Sequence, residues 1–432
     1  MLERYFKLRA HGTDVRTELL AGLTTFLTMA YIIFVNPQIL ATTGMDQGAV
    51  FVATCLAAAL GSGIMAFLAN WPIAMAPGMG LNAFFAFTVV GAMGYSWQQA
   101  LGAVFISGCV FLLLTVTGVR RWLVDGIPRS MRNAVVAGIG MFLGLIALKG
   151  AGIVVASEAT LVNLGDLTAA APLLALLGFF IIAALDALKV KGAILIGILA
   201  VTLVSITLGV SPFGGVVAAP PSIAPTFLQL DIAGAIHTGI LQVILVFVLV
   251  EVFDATGTLI GVARRAGLVG EGPAQANPGL GRALLADSSA IVAGSLLGTS
   301  STTAYIESAS GVQAGGRTGL TALTVAVLFL AALFFAPLAG SVPGFATAPA
   351  LLFVAALMMR ELVGVQWDDV TEAAPAALTA IMMPFTYSIA NGLAFGFISY
   401  AVLKLVTGRA REVHAATWVV AALFVVRFAF VA

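Results

Sequence analysis

Charge is what this chain has least of. Of its 432 residues only 9% are charged, and 20 Lys and Arg against 19 Asp and Glu leave a formal net charge of +1. A soluble domain carries about 25% charged residues to solvate its surface, so a soluble enzyme is excluded. A near-neutral chain also offers no basic field for nucleic acid. Cysteine is nearly absent, and Cys55 and Cys109 each sit inside an apolar run, which excludes a disulfide framework or a thiolate metal cluster. Three scattered histidines (His11, His237, His414) make no metal motif, and no cofactor is expected. The polar start MLERYFKLRAHGTDVR lacks the apolar stretch of a secretory signal, so no cleavable leader is expected. What is present is 61% hydrophobic residues and a mean hydropathy of +1.09. That composition reads as an all-α polytopic membrane protein.

A helix needs about 20 apolar residues to cross the hydrocarbon core. Windows of that size fall near 18–38, 48–70, 74–92, 98–118, 128–149, 170–187 and 192–210, then near 235–262, 283–298, 302–315, 318–340, 345–361, 371–387 and 388–407. These are fourteen segments, and the basic residues test the count independently. Cytoplasmic loops collect Lys and Arg, and this count puts 18 of the 20 on one face, from Arg4, Lys7, Arg9 and Arg16 to Lys404, Arg409 and Arg411. Both tails are expected to be cytoplasmic in an inner or plasma membrane. A last apolar stretch, 418–432, is either a fifteenth span or an interfacial helix, and Arg427 within it favours the interfacial reading.

Seven segments precede the Pro-rich stretch 211–226 and seven follow it, an arrangement expected of two inverted repeats. The expected organisation is a first repeat over 1–210, an extracellular linker over 211–234, a second repeat over 235–408 and a tail over 409–432. APGMGLNAFFAF (76–87) in the third segment corresponds to LGTSSTTAYIESAS (297–310) in the tenth, an alignment that sets Asn82 against Thr303 and Phe84 against Tyr305. Both segments are broken by Gly, Pro, Ser or Thr. Irregular backbone at membrane depth survives only inside protein or beside a water-filled cavity. Interrupted segments at matching positions of two halves are the best sequence pointer to a binding site.

Four acids fall inside the second half's segments: Glu251, Asp254, Asp287 and Glu307. Glu251 and Asp254 are i,i+3 on one helical face, and Glu307 follows Thr303 by one turn. No Lys or Arg is placed at comparable depth, so salt-bridge pairing is not expected. An acid within the membrane is a functional candidate, and desolvation together with mutual repulsion favours proton uptake by such a cluster. Glu251, Glu307, Asn82 and Thr303 are therefore candidate substrate ligands, with Phe85 a candidate stacking partner for a flat ligand. Asp254, Glu251 and Asp287 are candidates for proton coupling. The glycines of GRTG (316–319) lack the strand–loop–helix setting of a phosphate loop.

The segments TTFLTMAYIIFVNPQIL (24–40), MAPGMGLNAFFAFTVV (75–90), VEVFDATGTLIGVA (250–263), ADSSAIVAGSLLGTSSTTAYIESASGVQAGGRTGLTA (286–322) and MMPFTYSIANGLAFGFISY (382–400) resemble the azaguanine-type branch of the nucleobase–cation symporters. These are hypoxanthine, adenine and guanine permeases, and the resemblance covers nearly the whole chain. It implies fourteen transmembrane segments in two inverted repeats. A core domain holds segments 1–4 and 8–11, and a gate domain holds 5–7 and 12–14. It further implies proton symport, elevator-type movement of the core, and a homodimer joined through gate domains. The branch's first segment-8 acid falls on Glu251, which is Glu here where the branch often has Asp; its second falls on Asp254, its segment-10 acid on Glu307 and its segment-3 asparagine on Asn82. The expected activity is import of purine bases with protons. The competing readings are an anion exchanger of the same architecture, which unpaired buried carboxylates oppose, a membrane-embedded enzyme, which would need a nucleophile with its base, and a channel.

Overall fold

The computed structural model describes residues 2–236, 240–269 and 278–430. His237 and Glu271 lie outside the described residues, as do the last two residues of the tail. In chain order the helices of the first half are α1 (Leu2–Phe6), α2 (Val15–Met29), α3 (Ile32–Ala41), α4 (Gln47–Ile64, continued as a π-helical turn over Met65–Ala69), α5 (Met79–Ala83, continued over Phe84–Ala92), α6 (Trp97–Val116), α7 (Val119–Gly126), α8 (Arg129–Gly150), α9 (Ala170–Ala187) and α10 (Ala193–Thr207). The second half has α11 (Leu241–Arg265), α12 (Pro278–Leu297), α13 (Ser308–Gln313), α14 (Gly319–Ala332), α15 (Ala336–Ser341), α16 (Gly344–Met359), α17 (Val370–Phe385), α18 (Ile389–Val406) and α19 (Ala415–Phe430). Four short strands complete it: β1 (Met75–Pro77), β2 (Val154–Ser157), β3 (Leu161–Leu164) and β4 (Thr302–Ala304).

Among the described residues, ten helical stretches are long and apolar enough to cross a membrane, α2 with α3 and α14 with α15 each counting as one; four shorter apolar helices accompany them. Their starts are written in the sequence. Asp14, Asp46 and Ser388 accept backbone N–H groups of Thr17, Ala49 and Asn391 in the first turns of α2, α4 and α18. Ser96 and Gln99 form a reciprocal capping box on α6.

Packing sorts most helices into two groups. In one, α4 lies against α12 and α14, α6 against α12 and α11, and α2 against α14 and α13; in the other, α8 lies against α16 and α17, α17 against α18, and α9 against α10 and α16. At one end of the second group, Lys404 is buried and contacts Glu372 at 3.0 Å and Glu412 at 3.1 Å, while Arg409 contacts Asp369 at 2.7 Å. Hydrogen bonds from Thr371 and Arg409 hold the Asp369 carboxyl down to about 2. Those from Arg409 and Lys404 hold Glu412 down to about 2.

α19 packs antiparallel along α18, pairing the rings of Phe424 with Phe397 and Phe428 with Phe395. Arg427 does not seek the surface. It donates to Asn391 Oδ1 at 3.1 Å on α18 and to Gln242 Oε1 at 2.8 Å on α11.

Candidate substrate site

The two broken segments meet. β1 and β4 pair antiparallel, with Met75 opposite Ala304, Ala76 opposite Thr303 and Pro77 opposite Thr302. The Gly78 amide extends the ladder to Ser301 O at 2.8 Å, and Tyr305 N donates to Ala74 O at 3.0 Å. Every residue of both strands is buried, and the ladder satisfies backbone groups that helices would otherwise pair internally. Gly78 is required where it stands, because a Cβ there would lie 2.9 Å from the Thr303 methyl. The strand pairing, in which Ala76 faces Thr303, is a separate relation from the alignment of the two segments that sets Asn82 against Thr303. Pro77 and Gly78 end β1 and start α5, so Asn82 falls inside a helix while Thr303 is still in a strand.

Around this ladder the polar side chains divide into committed and uncommitted atoms. Glu251, on α11 and wholly buried, accepts Ser301 Oγ at 2.8 Å and Ser107 Oγ at 3.5 Å on Oε1. Its Oε2 is buried and has no hydrogen-bond partner. Asn82, also wholly buried, accepts the Ser300 hydroxyl on Oδ1, while its Nδ2 has no partner. Neighbouring serines thus orient one carboxylate and one amide, leaving an acceptor and a donor free. Buried polar atoms are almost always paired, and Thr302 Oγ1 on β4 is a third buried atom here without a partner.

Glu307 is half-buried at the start of α13 and accepts Tyr31 Oη at 2.7 Å from the α2–α3 junction. Asp254 is half-buried on α11 and lies within electrostatic reach of Asp287 and Glu307. Thr303 is buried and donates to Asp287 Oδ1 at 3.3 Å. Phe85 is buried in the apolar core beside Phe84, whose ring meets Phe247 edge-on at 5.0 Å. Tyr305 ties β4 to β1 by donating to Pro77 O at 2.6 Å.

The expectation that the acids stand without a cation fails at Asp287. Arg120 is 1% exposed and contacts Asp287 Oδ2 at 2.9 Å. It also donates to Thr256 Oγ1 at 3.0 Å and Leu284 O at 3.2 Å, and stacks 4.0 Å from the Phe111 ring centroid. The cause is local: Gly118 adopts φ +79 after α6, which turns α7 back beneath the bundle and carries Arg120 inward. The sequence placed Arg120 in a loop beside Arg121, so nothing in its spacing disclosed the burial. Tyr31, Ser107, Ser300 and Ser301 were likewise missed. Only Ser300 and Ser301 had a signal, in the run GTSSTT.

Comparison with known proteins adds four findings. The model of the permease family matches residues 16–428. The adenine permease AdeP of Escherichia coli strain K12 is 52% identical over 431 residues, covering 100% of this chain and 96% of that one. The guanine/hypoxanthine permease PbuG of Bacillus subtilis strain 168 is 46% identical over 441 residues, covering 99% and 100%. The solved transmembrane domain of a cyanobacterial bicarbonate transporter, BicA, superposes with a TM-score of 0.68 at 17% identity, covering 88% of this chain and 97% of that one. At that identity the likeness speaks for the fold alone.

Proposed function

The chain belongs to the permease family, and from that premise we propose that it imports purine nucleobases (hypoxanthine, adenine or guanine) together with protons. It is a multi-pass membrane transporter and not an enzyme. The observation that carries the substrate reading is the pair of buried, unpartnered atoms, Glu251 Oε2 and Asn82 Nδ2. A purine presents both ring or exocyclic N–H donors and ring-nitrogen acceptors, the complement of that pair. Glu307, positioned by Tyr31, supplies a second acceptor. An inorganic anion would face the carboxylates of Glu251 and Glu307 with the Asn82 amide as its one free donor, so anion exchange fits this site poorly. A ligand lacking one of the matching groups leaves a buried polar atom unpaired, at a cost of about 1–3 kcal/mol, and that is the basis of selectivity.

Proton coupling belongs to Glu251 and Asp254 in this reading. Asp254 is half-buried, like-charged neighbours surround it, and no described residue hydrogen-bonds to it. Asp287 is tied to Arg120 and serves to hold β4. Fourteen membrane segments arise when the ten long stretches are joined by the shorter apolar helices α5, α10 and α17 and by the broken segment carrying β4 and α13, with α19 as a fifteenth crossing. The two packed groups then take the parts of a moving core (α2 to α6 and α11 to α14) and a gate (α8 to α10 and α16 to α18), in a homodimer joined through the gates. With the N-terminal segment and the Lys404–Arg411 region cytoplasmic, the antiparallel α19 carries its Arg427 end toward the outer face.

The test is uptake of labelled hypoxanthine by the full chain in proteoliposomes, with adenine, guanine, xanthine and uracil as competitors. Purines compete, uracil does not, and a protonophore abolishes accumulation against the gradient. Uptake that ignores the protonophore refutes the coupling; uptake driven by chloride or sulfate refutes the substrate reading.

A further inference from the structure

An apolar groove of about 810 Å³ runs down the outside of the first helix group. Leu56, Leu60, Gly63 and Phe67 of the continuous helix of α4 form one wall, and Leu323 and Val327 of α14 the other. From Leu56 to Phe67 is eleven residues, roughly 16 Å at the helical rise and about half the ~30 Å hydrocarbon core. That is the depth of one leaflet. Gly63 weakens the helix relative to alanine, yet no neighbour requires it, because a Cβ there would meet nothing within 4 Å. Its small size opens the groove and serves no helix crossing.

What stands at one end of the groove is a separate observation. Tyr5 of α1 donates to Phe67 O at 2.8 Å and sets its ring edge-on to Phe67 at 5.6 Å. Phe6 and Leu8 are buried against Ala66 and Leu320, with Leu323 packed on the same cluster. Asn70 Nδ2 holds Phe6 O at 3.0 Å. This anchored segment presents Arg4, Lys7 and Arg9, all exposed, and none has an ion-pair partner among the described residues. The one acid beside them, Glu3, is occupied in accepting the Arg9 amide at 3.1 Å. An acyl-sized slot one leaflet deep therefore ends under three unpaired cations.

We propose that the groove and the N-terminal segment form a binding site for an anionic phospholipid. One acyl chain lies along Gly63, and the phosphate sits among Arg4, Lys7 and Arg9. Basic side chains next to a membrane attract anionic headgroups, each by about fivefold in binding, and an apolar chain fills the slot that bulk lipid would cover only loosely.

The experiment is retention of phosphatidylglycerol against phosphatidylcholine on the purified full chain, read by native mass spectrometry. The wild type keeps phosphatidylglycerol at least about fivefold better. The R4Q/K7Q/R9Q variant loses that preference. Gly63→Phe, which fills the groove and leaves the cations in place, loses retention of phosphatidylglycerol, whereas Gly63→Ala keeps it. Should Gly63→Phe fail to fold, Val327→Trp fills the slot from the exposed wall. Equal retention of both lipids by the wild type overturns the proposal. So does full phosphatidylglycerol retention in a groove-filled variant, which would mean surface adsorption only. Efficient crosslinking of Leu60→Cys between two copies would assign the groove to a partner chain and overturn it as well.

Discussion

Removing the Arg120–Asp287 pair one partner at a time should damage this protein more than removing both. The pair is 1% and 0% exposed, with 2.9 Å between Nη2 and Oδ2. At a charge separation of ~4 Å and an effective dielectric of ~20 the attraction is about 4 kcal/mol. Arg120→Gln leaves Asp287 with only Thr303 Oγ1 and Ala304 N, each at 3.3 Å. Breaking a buried pair from one side costs about 3–5 kcal/mol, whereas neutralising both sides is often close to neutral. The expected coupling in the Arg120→Gln, Asp287→Asn cycle is about 1–3 kcal/mol, with each single variant less stable than the double. Denaturation of the detergent-solubilised chain measures it. Because Asp287 also holds Thr303 and Ala304, the single variants should weaken hypoxanthine binding too, through displacement of Ser300 and Ser301. Additive penalties within ~0.5 kcal/mol, or a double variant worse than either single, would refute the lock.

Glu18 is wholly buried and accepts Arg317 N at 2.8 Å, Thr321 N at 3.1 Å and Thr321 Oγ1 at 2.6 Å, closing the start of α14. Glu18→Ala should destabilise by at least the ~1–2 kcal/mol of a lost cap, and Glu18→Gln by less, as read by thermal melting in detergent. Asp369 and Glu412 have folded values near 2, below the ordinary range of ~4. Their stabilisation is therefore complete above that range and lost as pH falls through about 2. The acid-side loss of stability should flatten in Arg409→Gln, and an unchanged slope would sink the assignment. For the C-terminal helix, single cysteines at Arg411 and Ala429 in a cysteine-free background should label from opposite faces of sealed vesicles. Labelling from one face would restore the interfacial helix.

The long apolar helices were legible because apolar length alone marks them: windows at 170–187 and 98–118 meet helices at Ala170–Ala187 and Trp97–Val116. The broken segments were legible because Pro77, Gly78 and the run of Ser and Thr at 299–303 cannot continue a helix cheaply. Register was not. Which residue ends β1 depends on a partner strand more than two hundred residues away. The burial of Arg120 was hidden for the same reason, since its partner Asp287 is distant in sequence, as are Gln242 and Asn391, the partners of Arg427. Four acids in the membrane were visible from charge scarcity. Which of their atoms are spoken for, and which remain free, emerged only when Ser107, Ser300, Ser301 and Tyr31 were in place.

The central claim is that the free oxygen of Glu251 binds a purine N–H at a site whose loading is linked to a proton. Hydrogen bonds to charged groups contribute about 1.5–3 kcal/mol, so Glu251→Gln should weaken hypoxanthine binding by roughly ten- to a hundredfold. It should also remove the stimulation of uptake by an inward proton gradient. Equilibrium binding and gradient-driven uptake, measured side by side on wild type and Glu251→Gln in the same proteoliposomes, test this most directly. Loss of affinity together with loss of gradient dependence is the expected result. A variant that binds hypoxanthine with unchanged affinity and still accumulates it with the proton gradient would contradict the account.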